Sequence, residues 1–204
     1  MNAQPTASIE LSALQDIFNQ QKISFSQTTI TSRQERIVQL LALKKALLCH
    51  QNALVSALNQ DYGHRPTQDS LIADIMPCVL NINYTVKQLK KWMQPERRHS
   101  GLLFAPAKVT VQYQPLGIIG IMVPWNFPVM LSIGPLITAL AAGNSAMIKL
   151  SEFTPNTNQV IKKIIQHVFN EKTVAVVEGE ADIAAAFSKL KFDHLLFTGS
   201  TNVG

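Results

Sequence analysis

Apolar residues recur at helical spacing through the first half of the chain and then condense into short unbroken runs, a pattern that predicts helices first and buried strands afterwards. Ile9, Leu11, Leu14, Ile17 and Phe18 fit a short helix. Ser32 and Glu35 have the spacing of a capping box and open a long helix whose apolar face carries Ile37, Leu40, Leu41, Leu47, Leu48, Leu54 and Leu58. That helix should stop near Asp61-Tyr62-Gly63, where glycine supplies the ending. A third long helix carries Ile72, Ile75, Val79, Ile82, Val86, Leu89 and Trp92, with Pro77 expected to kink or split it. Residues 95–106, with their prolines, charges and Gly101, form the best linker candidate. Beyond it Val109, Val111 and Tyr113 alternate with Thr110 and Gln112, which predicts an exposed or edge strand over residues 108–113.

From Gly117 onward the pattern reads β-α-β-α-β-α-β. Residues 117–123 make a short, β-branched run bounded by turn formers, as expected of a strand buried in a parallel sheet. Helices are expected near residues 129–142, 156–169 and 181–190, with strands between them at 146–150, 174–178 and 194–198. Gly143 should end the first of these helices, and Thr154 with Pro155 should open the second as N-cap and first-turn proline. This alternation places the chain in the α/β class, as a helical N-terminal segment followed by a parallel sheet with right-handed crossovers.

A length of 204 residues, 47% hydrophobic and 15% charged, suits a globular protein with a real core. The net charge is +5 and the pI about 9.3, yet Lys and Arg are scattered, so the sequence argues against nucleic-acid binding. Their one cluster, Glu96-Arg97-Arg98-His99, lies beside a polar turn and reads as a solvated loop. Cys49 and Cys78 are too few for a disulfide framework, form no zinc-type pair, and read as buried inert thiols. The five histidines show no metal-ligand spacing, so no metal is expected. The polar start Met1-Asn2-Ala3-Gln4-Pro5-Thr6 shows no signal peptide, and the longest apolar stretch, residues 129–143, is too short to span a bilayer. The expected location is cytoplasmic, with no membrane partner.

The chemistry concentrates after the strands. Asn126 stands between Pro124 and Pro128, which stiffen the loop, at the carboxyl end of a central strand where open α/β sheets place ligands. A neutral, non-titrating donor held there suits an oxyanion, and a structural loop-capping Asn is the alternative. Lys149 and Glu152 follow the next strand, as a nucleotide-ribose site or as an ordinary exposed ion pair. Gly199 and Ser200 follow the last strand, where a backbone could approach a pyrophosphate at a helix start. No lysine follows them and no GxGxxG fingerprint occurs, so this is neither a P-loop nor the usual dinucleotide turn.

Gln114-Pro115-Leu116-Gly117 through Pro128, Ala139-Leu140-Ala141-Ala142-Gly143-Asn144, Lys149-Leu150-Ser151-Glu152 and Phe197-Thr198-Gly199-Ser200-Thr201 resemble the aldehyde dehydrogenase superfamily in order and spacing. Asp61-Tyr62-Gly63-His64, residues 92–98, Phe153-Thr154-Pro155 and Gly179-Glu180-Ala181-Asp182 are similar to its coniferyl aldehyde dehydrogenase branch, and the likeness runs from about Leu11 to Gly204. The resemblance implies oxidation of an aldehyde, coniferyl or another aromatic one, to the acid through a cysteine thiohemiacetal. It implies NAD as coenzyme with NADP as an alternative, and a homodimer or homotetramer. Asn126 would be the oxyanion donor, and Pro124, Trp125, Lys149, Ser151, Glu152, Gly199 and Ser200 would contact the coenzyme. It further implies residues 1–106 as a helical segment, 107–116 as a strand of an oligomerisation sheet and 117–204 as part of a Rossmann-like NAD(P)-binding domain. The catalytic domain, with its thiol and general-base glutamate, is expected to be absent, leaving these residues inactive alone. Acyl-phosphate or acyl-CoA reduction on the same fold, and non-catalytic nucleotide binding, are the alternatives.

Overall fold

The computed structural model describes residues 4–28, 30–201 and 204. Helix α1 (Gln4–Gln27) buries Leu14 and Phe18, while the side chains of Ile9 and Leu11 lie outside the described residues. The Ser32 box forms as expected: Ser32 Oγ accepts from Glu35 N at 3.3 Å, and Glu35 Oε2 accepts from Ser32 N at 2.6 Å. The long helix that it opens is broken once, into α2 (Arg33–Cys49) and α3 (Gln51–Tyr62). His50 leaves helical geometry at φ −99° and ψ 9°, and its ring Nδ1 lies 2.9 Å from Ala46 O. The buried face of α2 is Leu40, Leu43, Ala46 and Leu47; Leu41 and Leu48, expected on that face, are exposed.

Gly63, at φ 78°, ends α3 as expected. Pro77 splits the next helix: α4 (Thr67–Asp69) runs into a π-helical turn, Ser70–Ile75, before α5 (Met76–Trp92) restarts with proline in its first turn. At a first turn the missing proline N–H leaves no bond unmade, and the wider π turn absorbs the register change. Strand β1 (Glu96–Arg98) pairs antiparallel with β2 (Val109–Val111), both exposed along their length. The charged cluster expected to be a solvated loop is therefore partly strand, and the linker folds as a ribbon.

The sheet that carries the site follows: β3 (Ile118–Met122), α6 (Pro128–Ala141), β4 (Ser145–Lys149), α7 (Pro155–Val168), β5 (Val174–Val177), α8 (Ala181–Ser188) and β6 (His194–Phe197). All four strands are parallel, in the order β5-β4-β3-β6. Consecutive apolar residues divide between two cores. Ile119, Ile121, Ala146 and Ile148 face the core shared by α2, α3, α5, α6 and α7, whereas Ile118, Met147 and Ala175 face Leu14, Phe18, Ile183 and Phe187. This is why the strands read as unbroken apolar runs: both faces are covered.

Three polar anchors fix the loops between these elements. Asn144 Oδ1 accepts from Leu116 N at 2.7 Å and Gly117 N at 3.0 Å, tying the end of α6 to the entry of β3. Gly117 sits at φ 144°, and a Cβ there would fall 2.0 Å from Asp193 Oδ2, which itself accepts from Ile118 N. Asp61 caps α7 from the end of α3, accepting from Asn156 N at 3.0 Å and Thr157 N at 2.8 Å. Thr154, expected as the capping side chain, makes no cap bond; its hydroxyl donates to Asn158 Oδ1 at 3.2 Å instead.

Candidate active site

Parallel strands deliver the loops after β3, β4, β5 and β6 to one edge of the sheet. The chain steps outward from β3 to β4 and β5, then returns to lay β6 on the other side of β3. The reversal makes the gap beyond β3 and β6 the topological switch point, the place where open α/β sheets bind ligands. Asn126 and Gly199 follow the two strands that flank it. Thr198 N donates to Met122 O at 3.3 Å, so the two loops start from a shared bond.

The Asn126 side chain is exposed and oriented. Its Oδ1 accepts from Phe127 N at 3.1 Å, and only the oxygen can meet an N–H donor. The amide N–H2 has no partner among the described residues. A network that the sequence did not suggest holds the loop from below. Tyr62 OH donates to Trp125 O, and Arg65 Nη1 donates to Asn126 O at 3.3 Å. The Arg65 guanidinium lies 4.9 Å from the Tyr62 ring centre and 5.3 Å from that of Phe127, and it pairs with Asp74 Oδ2 at 2.8 Å. Asp74 Oδ1 in turn accepts from Val129 N at 3.1 Å and Met130 N at 3.0 Å, in the first turn of α6. Burial pushes the Asp74 carboxyl up, opposed by the Met130 N–H, Arg65 and the Val129 N–H. Its one sequence signal was a carboxylate in the helical run between Ile72 and Ile75. Beside this loop an open depression of ≈ 590 Å³ is lined in part by Tyr62, Arg65, Ile72, Ala73, Asn126 and Phe127.

At the end of β4, Lys149 is buried and donates to Leu150 O at 2.7 Å, with Glu152 Oε2 at 3.5 Å. Burial pushes the Lys149 ammonium down, opposed first by Glu152 and then by Asp182 and Glu178. The Glu152 side chain keeps 34% of its surface, so its carboxylate retains free lone pairs toward solvent. Ser151 is buried; its Oγ accepts from Phe153 N at 3.3 Å, and its carbonyl accepts from Asn158 Nδ2 at 2.7 Å. Pro124 is half-buried and Trp125 exposed, its ring 6.4 Å from that of Tyr62. Gly199 and Ser200 are exposed after β6, and Gly204 N donates to Ser200 O at 3.2 Å, the spacing of one helical turn.

Neither thiol is placed to attack a ligand at the sheet edge. Cys78 is fully buried under α6, its Sγ donating to Asp74 O at 3.2 Å, and burial pushes its pKa up to about 12. Cys49, expected to be buried, is exposed on the outer side of α2. A thiol reagent should modify Cys49 in the native chain and reach Cys78 only after denaturation; equal native modification of both would contradict this packing. Among the described residues no cluster could hold a metal ion, and no helix is long and apolar enough to cross a membrane.

The aldehyde dehydrogenase family model matches residues 8–204. A "probable coniferyl aldehyde dehydrogenase" of Pseudomonas aeruginosa is 48% identical over 195 residues, covering 96% of this chain and 41% of that relative. Among solved structures, the substrate-bound state of Staphylococcus aureus AldH matches with a TM-score of 0.89 and 32% identity, over 93% of this chain and 41% of that one. The crystal structure of PnpE in complex with nicotinamide adenine dinucleotide matches with a TM-score of 0.75 and 26% identity, over 88% of this chain and 36% of that one. The chain thus spans about two fifths of the length of the curated relative it matches. With its sheet, flanking helices and strand-end loops all inside the matched region, this chain belongs to the aldehyde dehydrogenase family and carries part of its Rossmann-like sheet.

Proposed function

We infer that these residues form the coenzyme-side half of an NAD(P)-dependent aldehyde dehydrogenase site. The observation that carries the reading is the exposed Asn126 side chain in the loop after β3, its Oδ1 held by Phe127 N and its N–H2 without a partner among the described residues. In this reading a thiolate not supplied by these residues attacks the aldehyde carbon. The carbonyl oxygen gains the electron pair, and the Asn126 Nδ2 group donates to that oxyanion from a loop that needs no reorganisation. A nicotinamide coenzyme, when bound, would accept the hydride lost from the thiohemiacetal carbon, leaving a thioester that water would cleave to the acid and the free thiol.

The residues at the strand ends fit such a coenzyme. Glu152, partly exposed and with one distant ammonium partner, can accept from two ribose hydroxyls, and Lys149 lies beside it as a donor. Gly199 and Ser200, exposed after β6, would meet the pyrophosphate. Ser151 and Trp125 would support these loops more than touch ligand, given their present bonds. The depression beside Asn126 sets Tyr62, Phe127 and Ile72 among the polar His64, Arg65 and Asp69, and an aromatic aldehyde such as coniferaldehyde is proposed in line with the relative from Pseudomonas aeruginosa. The same reading keeps residues 1–106, 107–116 and 117–204 as helical, oligomerisation and coenzyme-binding segments of a cytoplasmic dimer or tetramer. The β1–β2 ribbon, exposed on both faces, would be the contact between subunits.

Coenzyme choice tests it. A Glu152 carboxylate repels the extra phosphate of NADP, and Lys149, turned to Leu150 O, offsets that only in part. The enzyme that carries this segment should have a higher kcat/KM with NAD than with NADP, and Glu152→Gln should narrow the ratio. A native preference for NADP would remove Glu152 from the ribose site.

A further inference from the structure

We propose that Arg65 is a positioning residue for the Asn126 amide, acting through one guanidinium–carboxylate pair that fixes both ends of the loop from Pro124 to Pro128. The proposal rests on the reading of Asn126 as the oxyanion donor. On the strand side, Arg65 Nη1 holds Asn126 O at 3.3 Å while Tyr62 OH holds Trp125 O. On the helix side, Arg65 Nη2 holds Asp74 at 2.8 Å, and Asp74 holds the first two free N–H groups of α6, on Val129 and Met130. Asn126 is thus pinned from its own carbonyl and, three residues on, from the helix that follows.

The pair is built to be stiff. The Asp74 side chain is 0% exposed and that of Arg65 10%, so neither charge exchanges freely with water. The guanidinium carbon lies 4.9 Å from the Tyr62 ring centre and 5.3 Å from that of Phe127, and both contacts limit its movement. Four groups converge on the Arg65 guanidinium: the Asn126 carbonyl, the Asp74 carboxylate and the rings of Tyr62 and Phe127. A lysine ammonium could keep the charge but not the fork that reaches Asn126 O and Asp74 together. Asn126 has no other hydrogen bond to the rest of the protein among the described residues: its Oδ1 bond is to the next residue. A loop freed at the Asn126 carbonyl would leave the amide folded on Phe127 N yet wandering relative to the sheet edge, held only at Trp125 O by Tyr62. Misplacement of about 1 Å is enough to cost catalysis roughly a hundredfold.

The test is a double-mutant cycle in the full-length enzyme that carries this segment. Arg65→Lys should lower kcat by about tenfold to a hundredfold with the coenzyme KM unchanged. In an Asn126→Ala background, where no amide remains to position, the same change should cost less than about twofold. Equal losses in both backgrounds would mean that Arg65 supports the fold generally, and no loss in either would mean that the loop stands without it; both overturn the proposal. Hydrogen exchange in the 204-residue chain separates this from failure of the underlying reading. There Arg65→Lys should speed exchange at Phe127 N–H while β4 amides keep their protection. If Asn126→Ala leaves turnover intact, the oxyanion assignment falls and the positioning role with it, whereas the exchange result still shows whether Arg65 clamps the loop. Should Arg65→Lys fail to fold, Asp74→Asn is read the same way, because it keeps an acceptor for Val129 and Met130 and loses only the ion pair. Misfolding of both variants makes the pair a folding element and overturns the proposal.

Discussion

Replacing Asn126 with Ala in the full-length enzyme is expected to cut turnover by about a hundredfold or more, in the range seen when one oxyanion donor is removed, and to leave coenzyme affinity nearly unchanged. The separation follows from where the residue sits. Among the described residues its side chain bonds only Phe127 N, so truncation removes one exposed donor and one local bond, and the carbonyl clamps on Trp125 and Asn126 survive because they use the backbone. The ribose candidates lie after a different strand, β4, and share no hydrogen bond with Asn126. The stability cost should be small for an exposed side chain in a loop held from its main chain. Steady-state kinetics with saturating aldehyde, alongside coenzyme titration of the same variant, checks it. A matching loss of coenzyme binding would show that Asn126 organises the sheet edge as a whole.

The strands around this site were legible because a sheet covered on both faces leaves a local mark. Runs such as Ile118 to Met122 and Ala146 to Ile148 carry no alternating polar residue and are cut off by glycine or polar loops, so the strand positions matched expectation within a residue or so. Gly63 and Pro77 also acted where they stood, since their effects on the backbone are intrinsic. What the sequence hid was the result of distant pairing. Asp61 caps a helix 95 residues away, and Arg65 reaches a carbonyl 61 residues away. Nothing in either local pattern marks those acceptors and donors as partners. The break at His50 was equally hidden, because the apolar spacing runs through it and only the backbone turn and the ring contact with Ala46 O separate the helices. Cys49 illustrates the limit of periodicity: its neighbour Leu48 was assigned to the inner face with Leu40, Leu41 and Leu47, and packing kept Leu40 and Leu47, added Leu43, and left Leu41, Leu48 and Cys49 exposed.

The candidate residues divide in the same way. Asn126, Lys149, Glu152, Gly199 and Ser200 could be named from sequence because each follows a strand, and a parallel sheet brings strand ends to one edge regardless of detail. Their orientations could not be named. Lys149 is turned to its own strand-end carbonyl and Ser151 faces inward, both consequences of how the loop after β4 closes on Asn158.

The 204 residues on their own should show no aldehyde dehydrogenase activity. The covalent route begins with a thiolate, and without one the first bond does not form at all. Cys78 lies close to the loop in space, with its Sγ 3.9 Å from Val129 O, yet it has no exposed surface and burial holds its pKa near 12. At neutral pH it is a protonated thiol sealed under α6. Cys49 is accessible but sits on the outer face of α2, whose opposite side packs into the helical core. Binding should survive in part, because the adenosine-side candidates at the end of β4 are complete within the chain, while no group here is assigned to the nicotinamide. AMP should therefore bind nearly as well as NAD, and both weakly. Calorimetry with the two ligands and an aldehyde-dependent assay for NADH measure these outcomes. Turnover that persists after Cys49→Ser and Cys78→Ala would mean that the chemistry does not pass through a cysteine, and a much tighter NAD than AMP would place nicotinamide contacts among these residues.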